Sequence, residues 1–455
     1  MNISLPYTLQ NCFAAARDEA EVSNLLNNDI YKFLMLDFIL AHPEYRDMQV
    51  RWAMKVRDPR VHLAEVIPES ALRSQLDMTK NIKWVSEADL SYLRGMTTST
   101  GRRLFREETL LFLKNFRLPE YKLENDGKGW YDLSFEWSWA TSMMWEIPAL
   151  KIINSLYLYH YAKKAQVTPS EWNGVMTKTF ARLYADIDVI KWDPRITFSE
   201  FGTRRAASTD IHRRVLEILG SELPGQCLGS SNVMLSREIG SSNPRGTNAH
   251  ELRMIPTAFE DEGSKIIDKM YEIDRQWMAH FPELAILLPD TFGSSFYYEN
   301  APQDIIKGHT GVRFDSKDPQ IAIPEYTKWI LENGQDPMKK VGIPSDGLDA
   351  LSIVDIVKNN VGNIGNLTHG WGTWLTNNTK GIFPKAKEQY GPFGSFSVVI
   401  KPEAVWKEDR WDTGEWISTV KLSDNPNKAM GSAERVKLFR ETFWVAGMEE
   451  QAVMV

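Results

Sequence analysis

The chain has 455 residues, of which 43% are hydrophobic and 25% are charged, a composition typical of a folded globular protein with a sizeable core. Its 53 basic and 60 acidic residues give a formal net charge of -7. This balance argues against a general affinity for nucleic acid or anionic membranes, because clustered Lys and Arg hold such partners. The only two cysteines, Cys12 and Cys227, exclude a disulfide framework.

The amino terminus lacks the basic start and apolar run of a secretory signal. The longest apolar stretches, such as residues 284–288 and 398–400, fall far short of the about 20 residues that span a bilayer. Two cysteines without a disulfide framework also fit a reducing compartment. These observations predict a cytoplasmic protein that has no nucleic-acid or membrane partner.

The first part of the chain combines the patterns of helices and strands. Its signals are apolar residues at helical spacing and two strand-like runs, at residues 33–40, 49–56 and 131–137. This mixture predicts an N-terminal α+β domain over residues 1–150. No Pro/Gly/Ser-rich linker marks its end.

From about residue 197 the pattern changes to short apolar segments, each followed by a polar loop and a helix of period near 3.6. The clearest apolar segments are residues 197–201, 284–288, 311–314 and 341–344. Strands alternating with helices indicate a parallel sheet covered by helices, and this many units favour closure into a barrel. We therefore predict an α/β barrel over residues 151–390.

The alternation ends after residue 390. Residues 396–400 and 419–422 are expected to form strands, and residues 434–443 a closing helix. We predict that this tail, residues 391–455, returns to the N-terminal domain and completes it.

Two glycine-containing loops of the predicted barrel suit phosphate. Ser345-Asp346-Gly347 comes directly before a predicted helix, and Gly370-Trp371-Gly372-Thr373 follows late in the barrel. Glycine lets backbone N–H groups turn towards an anion, and a helix start adds positive potential. Each loop on its own is also compatible with an ordinary tight turn.

Charged residues follow two of the predicted strands. Arg313 and Asp315 point the same way in an extended segment, and Asp318 comes soon after. Carboxylates at a strand end suit a ribose diol or hydrated magnesium, whereas the guanidinium suits a carboxylate or phosphate. Arg204 and Arg205 lie between a strand and a helix, as an anion clamp would. Surface salt bridges and a solvated helix face are the alternative interpretations.

His250 lies in a loop between two barrel units, with Glu251 beside it. An imidazole can attack the γ-phosphate of ATP, and a neighbouring carboxylate can fix its tautomer. Tyr31, near the start of the first clear helix, could stack on a flat aromatic ligand. Taken singly, a buried or capping histidine and a core tyrosine are the simpler interpretations of these two residues.

Considered together and in this order, these segments resemble the nicotinate phosphoribosyltransferase family of type II phosphoribosyltransferases, from about residue 29 to residue 428. The strongest stretches are FSEFGTRR at 198–205, SSNVMLS at 230–236, GTNAHE at 246–251, GVRFDSKD at 311–318, SDGLD at 345–349 and GTWLTN at 372–377. Supporting pieces are NDIYKFLM at 28–35, WEIP at 145–148 and VKLSDNPNK at 420–428. The resemblance implies an irregular (β/α) barrel joined to an N-terminal α+β domain.

The resemblance also implies roles for individual residues near the pyridine ring. Tyr31 would stack on the nicotinate ring, coming from the partner subunit of a homodimer with shared active sites. Thr247 and Arg313 would lie near the ring and its carboxylate. His250 would be the phosphorylated histidine, and with Arg313 and Asp315 it forms the predicted catalytic set.

Other residues are implied to hold the sugar and its phosphates. The 5-phosphate would be bound by Ser345, Gly347, Gly372 and Thr373. Arg204 and Arg205 would line the anion site, while Asp315 would contact ribose and Asp318 magnesium with pyrophosphate.

The implied reaction forms nicotinate mononucleotide and pyrophosphate from nicotinate and phosphoribosyl pyrophosphate, in NAD biosynthesis. Mg²⁺ would accompany the phosphates, and ATP would be a co-substrate hydrolysed through the phosphohistidine. Two positions depart from the family pattern, Lys317 in place of glycine and Trp371 within the second phosphate loop. Nicotinamide or quinolinate as the substrate, and a non-catalytic sensor of pyridine nucleotides, stay open as alternatives.

Overall fold

A computed structural model of the chain describes residues 7–82, 85–240, 243–408, 414–425 and 428–443. The strands are β1 Gln49–Val56, β2 Tyr121–Asn125, β3 Tyr131–Ser138, β4 Phe198–Glu200, β5 Cys227–Ser230, β6 Ile286–Leu287, β7 Gly311–Phe314, β8 Val341–Pro344, β9 Asn366–Leu367, β10 His369–Trp371, β11 Val398–Glu408 and β12 Gly414–Ser418.

The helices of the first part are α1 Leu9–Cys12, α2 Ile30–Ala41, α3 Pro43–Arg46, α4 Leu63–Val66, α5 Glu69–Asn81, α6 Glu87–Gly95, α7 Glu107–Lys114, α8 Trp139–Ser142, α9 Glu146–Lys164 and α10 Pro169–Ile190. Those of the second part are α11 Thr209–Glu222, α12 Val233–Glu238, α13 Glu251–Thr257, α14 Gly263–His280, α15 Ser294–Asn300, α16 Gln303–Gly308, α17 Pro319–Glu332, α18 Ala350–Asn360, α19 Thr373–Thr376 and α20 Ala433–Phe443. Within the described residues, no helix is long and apolar enough to cross a membrane.

A five-stranded antiparallel sheet unites the two ends of the chain, in the order β12-β11-β1-β3-β2. Its central pairing joins β1 to β11, from Val50 opposite Val405 to Val56 opposite Val398. Burial alternates along the first part of β3, where Tyr131, Leu133 and Phe135 face the core at every second position, as in a strand. The prediction that the C-terminal tail completes the N-terminal domain is therefore confirmed.

Two parallel sheets form the second part, with strand orders β10-β4-β5 and β6-β7-β8-β9. A bridge between Ser345 and Gly370 connects them. Helices separate most of these strands along the chain, as the alternating pattern predicts. Among the described residues no ladder joins β5 to β6, so the predicted (β/α) barrel is confirmed as an irregular one.

Close packing of the barrel strands depends on glycine at a specific point. A Cβ atom added to Gly311, the first residue of β7, would lie 2.2 Å from the Val341 carbonyl oxygen of β8. Glycine therefore lets the two strands approach closely. Their carboxyl ends, which carry Arg313 and Ser345, consequently lie side by side.

One sequence prediction about the tail is wrong. Residues 419–422 do not form a strand but a buried segment, and β12 ends before it at Ser418. The backbone N–H groups of Leu422 and Ser423 donate to the Thr291 carbonyl, so the segment packs against a barrel loop. Polar and apolar residues alternate from Thr419 to Leu422, but this period of two cannot distinguish a packed loop from a strand in a ladder.

The predicted domain limits at residues 150 and 390 stay a prediction. Residue 150 lies inside α9, and every residue of this helix from Glu146 to Leu158 is buried. A helix that is buried on all sides packs against elements from both parts of the chain. It brings Glu146 into the interior, where a charged group needs partners.

Candidate active site

The carboxyl ends of β4, β7, β8 and β10 and the start of α2 enclose a cavity of about 370 Å³. This is the edge at which parallel α/β sheets bind ligands. The cavity is lined by these residues that the sequence singled out: Tyr31, Arg204, Arg205, Thr247, His250, Arg313, Asp315, Ser345, Gly347, Gly372 and Thr373. Positions that are up to 342 residues apart in the sequence (31 and 373) thus share one site.

Asp315 connects three predicted site residues. Its Oδ1 accepts hydrogen bonds from Arg313 Nη1 at 2.5 Å and from Ser345 Oγ at 2.9 Å. Its Oδ2 lies 3.1 Å from His250 Nε2. Burial alone would raise the pKa of Asp315, but the neighbouring charge of Arg313 holds it well below its usual value. Asp315 is therefore an anion that orients the Arg313 guanidinium and lies beside the His250 imidazole.

His250 lies at the start of α13 and is almost completely buried. Its Nδ1 is 3.1 Å from Thr291 Oγ1, and its Nε2 is 2.8 Å from Lys421 Nζ. Burial, reinforced by the Lys421 charge, lowers the pKa of His250 to about 4. The imidazole is therefore neutral at physiological pH, as a nucleophilic nitrogen must be.

A carboxylate and an ammonium complete the surroundings of His250. Asp290 Oδ1 lies 3.9 Å from His250 Nδ1 and is buried without a hydrogen-bond partner among the described residues. Burial lowers the pKa of Lys421 to about 8, while Asp290 and Asp315 oppose that shift. The side chains of His250, Asp290 and Asp315 each offer one atom within 4.8 Å of the others, which is close enough for a shared cation. The unpartnered oxygen of Asp290 and the carboxylate of Asp315 are the ligand type that Mg²⁺ prefers.

Two adjacent guanidinium groups form one wall of the cavity. Burial and the neighbouring charge of Arg204 lower the pKa of Arg205 to about 10. Arg205 Nε is buried and has no hydrogen-bond partner within the described part of the chain. Two cations held close together at a cavity, one with an unsatisfied donor, are well suited to a phosphate-type anion.

The loop that carries this arginine pair is fixed from behind by Glu200, the last residue of β4. Glu200 accepts hydrogen bonds from the Gly202 backbone and from Ser230 Oγ, and His212 Nε2 lies 2.8 Å from its Oε2. All of these groups are buried. A fully satisfied buried carboxylate rigidifies the turn that leads to Arg204.

The two predicted phosphate turns are tight turns in the cavity wall. Asp346 and Gly347 both have a φ of 68°, so two consecutive residues adopt the left-handed conformation. Asp346 also accepts a hydrogen bond from Lys428 Nζ. At the other turn, a Cβ on Gly372 would lie 3.0 Å from the Phe201 carbonyl oxygen, so this loop packs tightly beside the arginine loop.

Tyr31 lies on the wall of the cavity of its own chain. Its hydroxyl donates to Glu146 Oε2 at 3.2 Å, and its backbone lies against Gly246, where a Cβ would be 3.3 Å from Tyr31 N. Within one chain, Tyr31 thus lies at the site that contains Arg313 and His250. That a partner subunit supplies the stacking ring stays a prediction.

Asp318 lies away from the cavity. Its side chain is exposed and accepts a hydrogen bond from Gln320 N, which caps α17. The prediction that it contacts magnesium gains no support from this position, because its carboxylate serves a helix start. Lys317 forms an ion pair with Glu325 at 2.6 Å, so its departure from the family pattern is absorbed by a local contact. Trp371 is fully buried and packs edge-on against Phe198 in the core.

The sequence patterns missed several cations at the site. Lys380 and Lys401 line the cavity, and Lys421 contacts His250. Lys401 follows three apolar residues in β11 and is buried, which is an unusual position for a lysine. A charged residue within a buried strand was the available signal, although it does not identify the distant site to which the lysine belongs.

Comparison with known proteins agrees with this geometry. Residues 26–154 match the nicotinate phosphoribosyltransferase (NAPRTase) N-terminal domain, and residues 196–446 match the nicotinate phosphoribosyltransferase (NAPRTase) family. The fold is similar to the crystal structure of nicotinate phosphoribosyltransferase from Porphyromonas gingivalis, with a TM-score of 0.78 and 23% identity over 93% of this chain and 100% of that one. It is also similar to the nicotinate phosphoribosyltransferase from Vibrio cholerae, with a TM-score of 0.77 and 24% identity over 95% of each chain. Because the longer match covers more than half of its 455 residues, the chain belongs to the nicotinate phosphoribosyltransferase family of enzymes.

Proposed function

We propose that this enzyme joins nicotinate to phosphoribosyl pyrophosphate in NAD biosynthesis, and that ATP hydrolysis through His250 drives the reaction forward. The observation that carries the proposal is the composition of one cavity. Tyr31 and Arg313, which suit a flat carboxylic acid, line it together with the Arg204–Arg205 pair and the turns at Ser345 and Gly372, which suit phosphates.

The reaction needs no general base. The lone pair of the nicotinate ring nitrogen forms a bond to C1 of the sugar, while the bond from C1 to the pyrophosphate oxygen breaks and its electron pair leaves with pyrophosphate. The attacking nitrogen carries no proton, so none has to be removed. Catalysis therefore rests on orientation and on stabilising charge.

Arg313 and Tyr31 would orient the ring. The Arg313 guanidinium is held by Asp315 and by the Asn248 carbonyl, to which Nη2 donates at 3.2 Å. A guanidinium fixed in this way can bind the nicotinate carboxylate with its remaining donors. Tyr31, with Thr247 near it on the wall, would stack on the ring.

The anion half of the cavity would hold the sugar phosphates. Ser345, Gly347, Gly372 and Thr373 would bind the 5-phosphate through turns. Arg204 and Arg205 would bind the pyrophosphate and stabilise its growing negative charge. Magnesium would supply further positive charge to the leaving group, and Asp290 and Asp315 are the residues that would hold it.

His250 would couple ATP hydrolysis to the transfer. A neutral imidazole nitrogen attacks the γ-phosphorus, the bond to the β-phosphate oxygen breaks, and ADP leaves with that electron pair. Water later releases the phosphate from the histidine. His250 lies beside Asp315, and Asp315 in turn holds Arg313. Phosphorylation of His250 would therefore shift Arg313 and change the affinity for nicotinate.

Nicotinamide and quinolinate are the competing substrates within the same chemistry. The guanidinium of Arg313 favours a carboxylate over the neutral amide of nicotinamide. A non-catalytic sensor of pyridine nucleotides is a different class of function. The neutral imidazole of His250, fixed beside Asp315 and Lys421, has no evident use in such a sensor.

The test is to incubate the purified protein with phosphoribosyl pyrophosphate, Mg²⁺ and each pyridine in turn, with and without ATP, and to measure the product mass. We expect nicotinate mononucleotide from nicotinate, at a rate that ATP increases. If only nicotinamide or only quinolinate gave product, that pyridine would be the substrate instead of nicotinate. No product from any pyridine would support the sensor.

We also propose a cytoplasmic homodimer. The location follows from the composition and cysteine content, and the dimer from the family resemblance. Tyr31 lies in the cavity of its own chain. The monomer obtained by dilution is therefore expected to bind nicotinate still, although more weakly than the dimer. At several protein concentrations, light scattering measures the oligomeric state and calorimetry measures the affinity for nicotinate.

A further inference from the structure

The family-like segment WEIP at 145–148 contains a carboxylate that has no part in the proposed reaction. Glu146 lies at the start of α9 with its side chain completely buried, and it does not line the cavity. A buried charge of this kind is costly unless it is paired and hydrogen-bonded. Its partners therefore show what it does.

Glu146 connects two residues of the cavity wall. Its Oε1 accepts a hydrogen bond from Lys401 Nζ at 2.8 Å, and its Oε2 accepts one from the Tyr31 hydroxyl at 3.2 Å. Lys32 Nζ, also completely buried, lies 2.7 Å from Glu146 Oε2 and 2.7 Å from Glu251 Oε2. Two ammonium groups and two carboxylates thus form one buried network of zero net charge.

Only one ammonium of this network reaches the cavity. Lys401 lines it, whereas Lys32 lies beneath, over the ring of Trp52 at 4.6 Å. The charged groups that act on Lys401 are Glu146, Glu251, Arg204 and Lys421, and Lys32 shares Glu146 with it. Glu251 forms an ion pair with Lys32. The positive charges of Arg204 and Lys421 repel Lys401. Glu146 is accordingly the carboxylate that balances the charge of Lys401.

We propose that Glu146 is a positioning residue, which keeps Lys401 charged and directed into the anion half of the cavity. The inference rests on the proposed function, because a cation at this wall matters only if the cavity binds a phosphorylated substrate. Burial and the neighbouring charge of Arg204 lower the pKa of Lys401, and Glu146 opposes that shift. Removing the Glu146 carboxylate would therefore lower the pKa of Lys401 further. Glu146 thus acts on the substrate through Lys401.

The test is Glu146→Gln, which preserves side-chain size and removes the charge. Binding of inorganic pyrophosphate is measured by calorimetry at about pH 8.5 and about pH 6.0, a range over which a lysine with a strongly lowered pKa can titrate. The variant is expected to bind about tenfold more weakly than the wild type at the higher pH, a loss equal to one charge-assisted contact. The deficit should shrink at the lower pH, because Lys401 then regains its proton.

The matched control is Asp274→Asn. Asp274 is the buried carboxylate of an ion pair with Arg253, accepts a hydrogen bond from Tyr297, and does not line the cavity. This variant is expected to lose thermal stability without a change in pyrophosphate affinity or in its pH dependence. If both variants lost affinity equally, or if Glu146→Gln bound like the wild type at both pH values, the inference would be overturned.

A second variant covers the case in which Glu146→Gln does not fold. Lys401→Met removes the cation itself, so pyrophosphate binding should fall about tenfold at both pH values without recovery. Wild-type affinity in Lys401→Met would also overturn the inference. These binding measurements do not depend on turnover, so a wild type that binds pyrophosphate but transfers no pyridine would contradict the proposed function alone.

Discussion

Lys421 Nζ lies 2.8 Å from His250 Nε2, so an ammonium donates to the nitrogen that also faces Asp315. An ammonium has only donors, so Nε2 accepts this bond and presents its lone pair. Nδ1 then carries the proton and donates to Thr291 Oγ1 at 3.1 Å. The contact therefore selects a neutral tautomer whose Nε2 is the basic nitrogen.

The first prediction concerns the pKa of His250. Burial lowers it to about 4, and the positive charge of Lys421 adds to that shift. Lys421→Met should therefore raise the pKa of His250, which NMR titration of the imidazole measures. His369 is the internal control, because its pKa is also lowered to about 4 by burial but no lysine contributes. An unchanged His250, or an equal shift of both histidines, would contradict the assignment.

The second prediction is that His250→Ala separates transfer from ATP coupling. The variant should retain weak transfer without ATP, because the cavity walls that bind both substrates are unchanged. It should lose the stimulation by ATP, because no imidazole is left to accept the phosphate. Initial rates with and without ATP measure this, with His160→Gln as a control far along α9. Equal stimulation in His250→Ala and the wild type would remove His250 from this role.

The third prediction concerns recognition of the nicotinate carboxylate. Arg313→Lys retains a positive charge but loses the planar fork that Asp315 and the Asn248 carbonyl orient. The KM for nicotinate should rise by about tenfold to a hundredfold, as expected for losing one charge-assisted hydrogen bond. Preference for nicotinate over nicotinamide should narrow as well. Arg195→Lys, at an exposed arginine paired with Asp193, is the matched control. Unchanged kinetics in Arg313→Lys would place the carboxylate elsewhere.

The fourth prediction compares two glycines with the same backbone requirement. Gly347 has a φ of 68° and Gly225 a φ of 89°, and an added Cβ would meet nothing within 4 Å at either position. Alanine should therefore lower the free energy of unfolding by about 1 kcal/mol at both. Only Gly347→Ala should also raise the KM for phosphoribosyl pyrophosphate, because this turn lines the cavity. Equal KM values in the two variants would show that the turn does not bind phosphate.

Local sequence patterns were sufficient to predict a strand where its own residues determine its secondary structure. The segments at residues 311–314 and 341–344 are short, mostly apolar and bounded by turn residues, and both are strands with the predicted limits. Arg313 and Asp315 point the same way because an extended segment alternates its side chains, and their contact confirms this.

Features that depend on tertiary packing could not be predicted in the same way. Lys421 reaches His250 across 171 residues of sequence. The segment that carries Lys421 is a loop, although its polar and apolar residues alternate as they do in a strand. Lys401 reaches the cavity because β11 pairs with β1, a partner that no local period specifies. Asp318 resembles a metal ligand in sequence but is used to cap α17.

The central claim is most directly tested by the stoichiometry of one reaction. Purified wild-type protein is incubated with phosphoribosyl pyrophosphate, Mg²⁺, ATP and nicotinate that carries an isotopic label. The labelled mononucleotide and the released pyrophosphate are each measured over time. We predict nicotinate mononucleotide and pyrophosphate in equal amounts from the first turnover. Labelled nicotinate that remains unchanged while phosphoribosyl pyrophosphate and ATP are present would contradict it.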